Sequence, residues 1–134
     1  MIDRLPLRLR RAVFWVFVCA IFTATHWPRL KIDFRGIERP DLLIHFAVFG
    51  CWALLVHFTG YLGPIRSSRT VARSWFATTI YACIDEALQL PTFIHRHAAW
   101  DDLAANIGGA TLALSGVAVW ILITNRLKRK RADT

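Results

Sequence analysis

Four apolar stretches, separated by short polar segments, set the limits on what this chain can fold into. They run from about Ala12 to Trp27, from Leu42 to Leu62, from about Ser74 to Leu90, and from Leu103 to Thr124. A membrane-spanning helix takes about 20 mostly apolar residues, and roughly 17 suffice. The breaks have ordinary chemistry. Pro28 ends the first stretch and Pro40 precedes the second; Gly60, Gly63 and Pro64 end the second, and Pro91 closes the third. No internal repeat or low-complexity segment is visible. The first stretch is the shortest, and Arg4, Arg8, Arg10 and Arg11 before it would also suit a secretory signal. No small-x-small cleavage pattern precedes the polar pair Thr25 and His26, and snorkelling arginines lengthen the span, so a retained helix is expected. The expected fold is therefore an all-α, polytopic membrane protein with four transmembrane helices.

Composition agrees. The chain has 134 residues, a single-domain length, and is 55% hydrophobic with mean hydropathy +0.39, yet carries a net charge of +8. Apolar spans joined by basic loops produce that combination easily; a soluble domain rarely does. Nucleic-acid binding does not fit, because the basic residues are split among separated loops and form no single stripe. The segments up to Arg11, from Arg66 to Arg73, and after Thr124 hold twelve Lys and Arg; the other two connecting segments hold five. The more basic set belongs in the cytoplasm, so both termini are expected inside the bacterial inner membrane. Residues 1–11 then form a basic cytoplasmic N-terminus, 12–124 a four-helix membrane domain, and 125–134 a basic tail able to touch lipid headgroups. Trp27 and Trp100 would lie at the outer interface, Trp75 and Trp120 near the inner one, and Trp52 in mid-span packing. Cys19, Cys51 and Cys83 sit in apolar stretches without a CxxC pattern and are expected as small buried residues.

The informative residues are polar groups inside or beside the spans. Asp41 and His45 are four apart at the start of the second span, so they share a helix face. Asp85, Glu86 and Gln89 fall in the last turns of the third span. Asp102 and Asn106 are four apart at the start of the fourth, and Arg96, flanked by His95 and His97, lies in the connection between. The topology brings all of these ends to the outer surface, although it was derived without them. Simpler readings exist for each. Asp41, Asp101 and Asp102 could cap helices, Glu86 and Arg96 could form a structural ion pair, and His57 and His26 read as packing or interface histidines. Asp85 and Glu86 resist such readings, because a helix C-terminus disfavours anions. Ala105, Gly109 and Ala113 make a small-residue face suited to close helix packing.

These motifs resemble those of the VanZ-like membrane protein family. Asp41-Leu-Leu-Ile-His45-Phe-Ala-Val-Phe-Gly50 is similar to its D-K-x-x-H-F-x-x-F-G stretch, and Asp85-Glu86-Ala-Leu-Gln89 to its D-E-x-x-Q. Arg96 through Asp102 to Asn106, followed by Gly108-Gly109-Ala110, resembles R-x5-D-x3-N and the small residues after it; Thr25-His26-Trp27-Pro28 is similar to T-H-x-P. The resemblance covers Thr25 to Ala110 in order. Leu42 departs from the family's usual Lys, and Phe93-Ile94-His95-Arg96 from its P-G-R turn. The family is named for a protein that raises resistance to the glycopeptide teicoplanin. The resemblance thus implies an envelope location and, for some members, an antibiotic-related phenotype, but no reaction.

The expected function is a membrane protein acting at the outer leaflet on a polar headgroup, of a phospholipid or a lipid-linked envelope precursor. Glu86 and Asp85 would be a general base or cation ligands, with Asp102 the second carboxylate and His45 a proton shuttle. Arg96 would hold a phosphate, while Gln89, Asn106 and Asp41 would help to bind the ligand. Binding is favoured over catalysis, because no nucleophile–base pair is readable. Carboxylates and amides without clustered His or Cys suit Mg²⁺ or Ca²⁺ better than zinc, with Asp85, Glu86 and Asp102 the candidate ligands. The alternative is a structural or scaffold protein whose polar cluster holds the helices together. Four short helices bury little area, which makes a homo-oligomer plausible on either reading.

Overall fold

The computed structural model describes residues 5–26, 39–88 and 100–132. Among them the chain is all-helical: α1 (Leu7–His26), α2 (Pro40–Phe58), α3 (Ser68–Leu88) and α4 (Trp100–Ala132). Two of these, α2 and α4, are long and apolar enough to cross a membrane by length and composition. The other two are of similar length but carry charge: Arg8, Arg10 and Arg11 in α1, and Arg69, Arg73, Asp85 and Glu86 in α3.

The observed helices begin earlier or end later than the apolar stretches. The first helix takes in the arginines from Arg8 onward, α3 starts at Ser68 rather than near Ser74, and α4 runs on through the basic tail to Ala132. Hydropathy marks where side chains are apolar, whereas backbone hydrogen bonding continues through Arg and Lys, which are good helix formers. In the other direction, α2 stops at Phe58, where Gly60 (φ 73°) and Gly63 (φ 131°) take left-handed conformations that turn the chain into α3.

Successive helices run in opposite directions, so α2 and α4 are parallel. Their contact is the tightest in the bundle. A Cβ on Gly109 would collide with the backbone carbonyl of Phe46, and one on Gly50 would lie 3.2 Å from the Gly109 carbonyl oxygen and 3.8 Å from the Ala113 Cβ. Backbone meets backbone here, as the small-residue face of α4 predicts. Below this point Ala53 packs with Ala110, Leu114, Val117 and Ile121. The first helix adds a second core, in which Phe14 and Ile21 pack on Trp52 and Val56. Trp52 stacks on Tyr81 with centroids 4.9 Å apart, a mid-helix packing role as expected. Arg10 donates to the Phe58 carbonyl (3.0 Å) and Arg11 to the Thr59 carbonyl (3.3 Å). The arginines of α1 thus serve carbonyls that the end of α2 leaves without helical partners.

Outside these cores, a set of polar side chains is turned inward and a set of large apolar ones outward. His57, Thr70, Ser74, Thr78, Asp85, Glu86 and Asn106 are buried, while Val16, Leu43, Phe76, Leu112 and Leu122 are each at least 60% exposed. The cysteines follow the outward set: Cys19, Cys51 and Cys83 are free and exposed, not buried as expected. They lie on helix faces turned away from the cores, a choice of azimuth that hydropathy does not report.

Candidate functional site

The polar end of the bundle is assembled from the start of α2, the end of α3 and the start of α4. His45, one turn into α2, is half-buried and directs Nδ1 at the Asn106 Oδ1 of α4, 3.0 Å away. Asn106 is fully buried, and its Nδ2 donates to Glu86 Oε1 of α3 at 3.5 Å. His45 Nε2 faces Asp102 Oδ2, one turn before Asn106, at 4.0 Å. One potential ligand atom from each of His45, Glu86 and Asp102 lies within 4.8 Å of the other two. The side chains of His45 and Asp102 keep 14% and 16% exposure, so the cluster is nearly but not fully closed off.

A ring of charge surrounds the opening. Arg39, just before α2, forms a two-pronged hydrogen bond with Asp41, from Nε to Oδ1 (3.2 Å) and from Nη2 to Oδ2 (3.0 Å). The same Nη2 lies 2.8 Å from Asp101 Oδ2 and 3.9 Å from Asp102 Oδ1. The hydrogen bond to Asp41, and then that to Asp101, push the Arg39 guanidinium above its ordinary range, so it is a fixed positive charge. This geometry revises the helix-cap readings. The residue at the N-cap position of α2 is Arg39, without a side-chain cap bond, and Asp41, Asp101 and Asp102 all lie inside their helices' first turns. There they complement the helix dipoles and are tied across α2 and α4 by one arginine. Arg39 escaped the sequence reading because it belongs to the segment expected to lie outside after the first span, where it counted only as loop charge.

Of the residues expected at the site, His45, Glu86, Asp102 and Asn106 come together, and Asp41 joins them through Arg39. Asp85 is buried at 1% exposure but is not one of the three potential metal ligands that converge; His45 stands in its place beside Glu86 and Asp102. The expectation that no histidine clusters with the carboxylates is therefore corrected. Gln89 and Arg96, with His95 and His97, lie outside the described residues.

At the other end is a pair that the sequence reading missed. His57 is fully buried, with Nδ1 3.2 Å from Ser74 Oγ and Nε2 3.0 Å from the Ile65 carbonyl. A serine beside a histidine is the form of a nucleophile and its base. Ser74 is also fully buried, and its hydroxyl lies 2.8 Å from the Thr70 carbonyl of its own helix. With both groups sealed off, the pair fastens the turn between α2 and α3. The spacing of Thr70, Ser74 and Thr78, four residues apart on α3, is the signal that could have revealed this inward polar stripe.

No protein-family model, no curated protein and no solved structure matches the chain.

Proposed function

We propose that this chain is a four-helix protein of the bacterial inner membrane, with both ends in the cytoplasm, whose polar end binds the headgroup of a phospholipid or lipid-linked envelope precursor in the outer leaflet. The observation that carries the reading is the meeting of His45, Glu86, Asp102 and Asn106, from three helices, at one end of a bundle whose outer faces are apolar. Charged groups inside apolar bundles cost about 2.5–3.5 kcal/mol each at the helix centre on insertion scales, and such groups mark functional sites by default. The arginines flanking the turn between α2 and α3, and the basic end of α4, gather at the opposite end, which supports the orientation. In this reading α1 and α3 also cross the bilayer: α3 turns its polar stripe toward α2 and α4, and α1 shields Trp52. The resemblance to VanZ-like proteins adds an envelope role and a link to glycopeptide (teicoplanin) susceptibility, and supplies Arg96 and Gln89 as further headgroup contacts.

A structural reading draws on the same cluster. The hydrogen bonds from His45 through Asn106 to Glu86 tie α2, α4 and α3 together, and a scaffold would need nothing more. Native mass spectrometry of the purified protein in detergent, wild type beside Glu86→Gln, separates the two. Headgroup binding is expected to give a discrete lipid adduct on wild type that the folded variant has lost. An unstable variant with no adduct on either protein would overturn headgroup binding in favour of the scaffold.

A further inference from the structure

The wiring of Asn106 fixes the chemistry of its neighbours. A primary amide has one accepting and one donating end. Its Nδ2 points at Glu86 Oε1, a carboxylate oxygen that can only accept while ionised, so its Oδ1 is the end that faces His45 Nδ1. An amide oxygen accepts only, hence Nδ1 carries the hydrogen. A neutral imidazole then has its lone pair on Nε2, and Nε2 faces Asp102 Oδ2 across 4.0 Å. Two lone-pair donors confront each other there, with Glu86 closing the third side. A cation between them satisfies His45 Nε2 and Asp102 Oδ2 together, as does a proton on either group.

We infer that His45 Nε2 and the carboxylates of Glu86 and Asp102 form a binding site for a divalent metal ion of the zinc class. An ion of this class sits about 2.0–2.2 Å from nitrogen and oxygen ligands, so three ligands around it stand roughly 3.5 Å apart. The observed atoms, within 4.8 Å of one another, reach that spacing through side-chain rotations of about an ångström. An imidazole ligand favours zinc-like ions over Mg²⁺ and Ca²⁺, which prefer all-oxygen shells. The Nδ1–H bond to Asn106 is the outer contact that metal-bound histidines use to fix tautomer and ring orientation. Three protein ligands leave a fourth position open. The partial exposure of His45 and Asp102 puts that position toward the bundle's end, where a water or an anionic headgroup oxygen can enter. The inference rests on the reading of this end as a ligand site, and not on which headgroup it takes.

The test uses the full-length, untagged protein in detergent, stripped with chelator and titrated with Co²⁺ alone and then Zn²⁺. Wild type is expected to bind one Co²⁺ per chain with visible d–d absorption, released by stoichiometric Zn²⁺ and not by millimolar Mg²⁺ or Ca²⁺. Absence of a thiolate charge-transfer band would separate this site from Cys19, Cys51 and Cys83. His45→Ala and Asp102→Asn, each checked for helicity and monodispersity, are expected to weaken binding by more than the about 10–100-fold that loss of an outer-contact residue costs. Folded wild type without stoichiometric Co²⁺, displacement by Mg²⁺ or Ca²⁺, or unchanged affinity in a folded His45→Ala protein would overturn the inference. If both variants misfold, the wild-type spectrum and competition series decide alone. Native mass spectra of stripped and Zn²⁺-loaded wild type keep the two readings apart. A lipid adduct without metal binding sinks the metal site only, and metal binding without an adduct in either state sinks the headgroup reading only.

Discussion

Two buried residues, Asn106 at one end of the bundle and His57 at the other, use their polar atoms in opposite ways. Asn106 leaves His45 Nε2 and the carboxylates facing one another, whereas His57 has both ring nitrogens matched, to Ser74 Oγ and the Ile65 carbonyl. His57→Ala would leave a cavity and orphan the Ile65 carbonyl, so it is expected to cost about 2–4 kcal/mol. A lower melting temperature in detergent, with the Co²⁺ spectrum of the remaining folded protein unchanged, is the expected result; loss of the spectrum would mean the ends are coupled. At this scale the sequence was partly legible. Helix ends gave the depth of His45, Glu86, Asp102 and Asn106, and depth sufficed to bring them together. Depth does not give azimuth, because successive helical residues point about 100° apart. That is why Asp85 and Glu86 could not be told apart, and why Ser74 was not seen to meet His57.

Helix packing turns on glycines that look alike in the sequence. Gly109 lies against the Phe46 carbonyl, while a Cβ on Gly116, two turns further along α4, would meet nothing within 4 Å. Replacing a helical glycine by alanine gains up to about 1 kcal/mol of helix propensity. At Gly116 that gain is unopposed, so Gly116→Ala is expected to leave stability unchanged or raise it by up to about 1 kcal/mol. At Gly109 overpacking against backbone costs about 1–3 kcal/mol, so the clash wins and Gly109→Ala melts lower. Because Phe46 adjoins His45, the same change is expected to weaken Co²⁺ binding. Equal melting temperatures for the two variants would refute the close contact of α2 and α4. The small-residue spacing of Ala105, Gly109 and Ala113 made this face readable in advance; the partner helix was not, since spacing on one helix carries no record of its neighbour.

For the whole molecule the proposed topology makes a prediction about which helices cross a bilayer. Hydropathy alone selects α2 and α4, whereas the inward polar stripe of α3 fits a helix that crosses while its acidic groups Asp85 and Glu86 face protein. Labelling with a membrane-impermeant maleimide decides. On a background with the three native cysteines replaced, Trp100→Cys is expected to react in intact spheroplasts and Pro64→Cys only after permeabilisation. The reverse pattern would invert the orientation, and labelling of both from one side would mean that α3 does not cross. The number of helices was legible because apolar runs and proline breaks are local signals. The charge carried by α1 and α3 was visible too, but its placement depends on what packs against it.

The polar cluster draws its side chains from α2, α3 and α4, and this has a consequence for biogenesis. In vectorial synthesis His45 emerges first, Glu86 later, and Asp102 and Asn106 last. Until α4 arrives, His45 and Glu86 lack the amide that joins them and the carboxylate that completes the set. On the proposed four-span topology, the nascent protein must hold these polar groups in the insertion machinery or in water. The arrival of the last helix is therefore both the closing step of assembly and the moment at which the site comes into being.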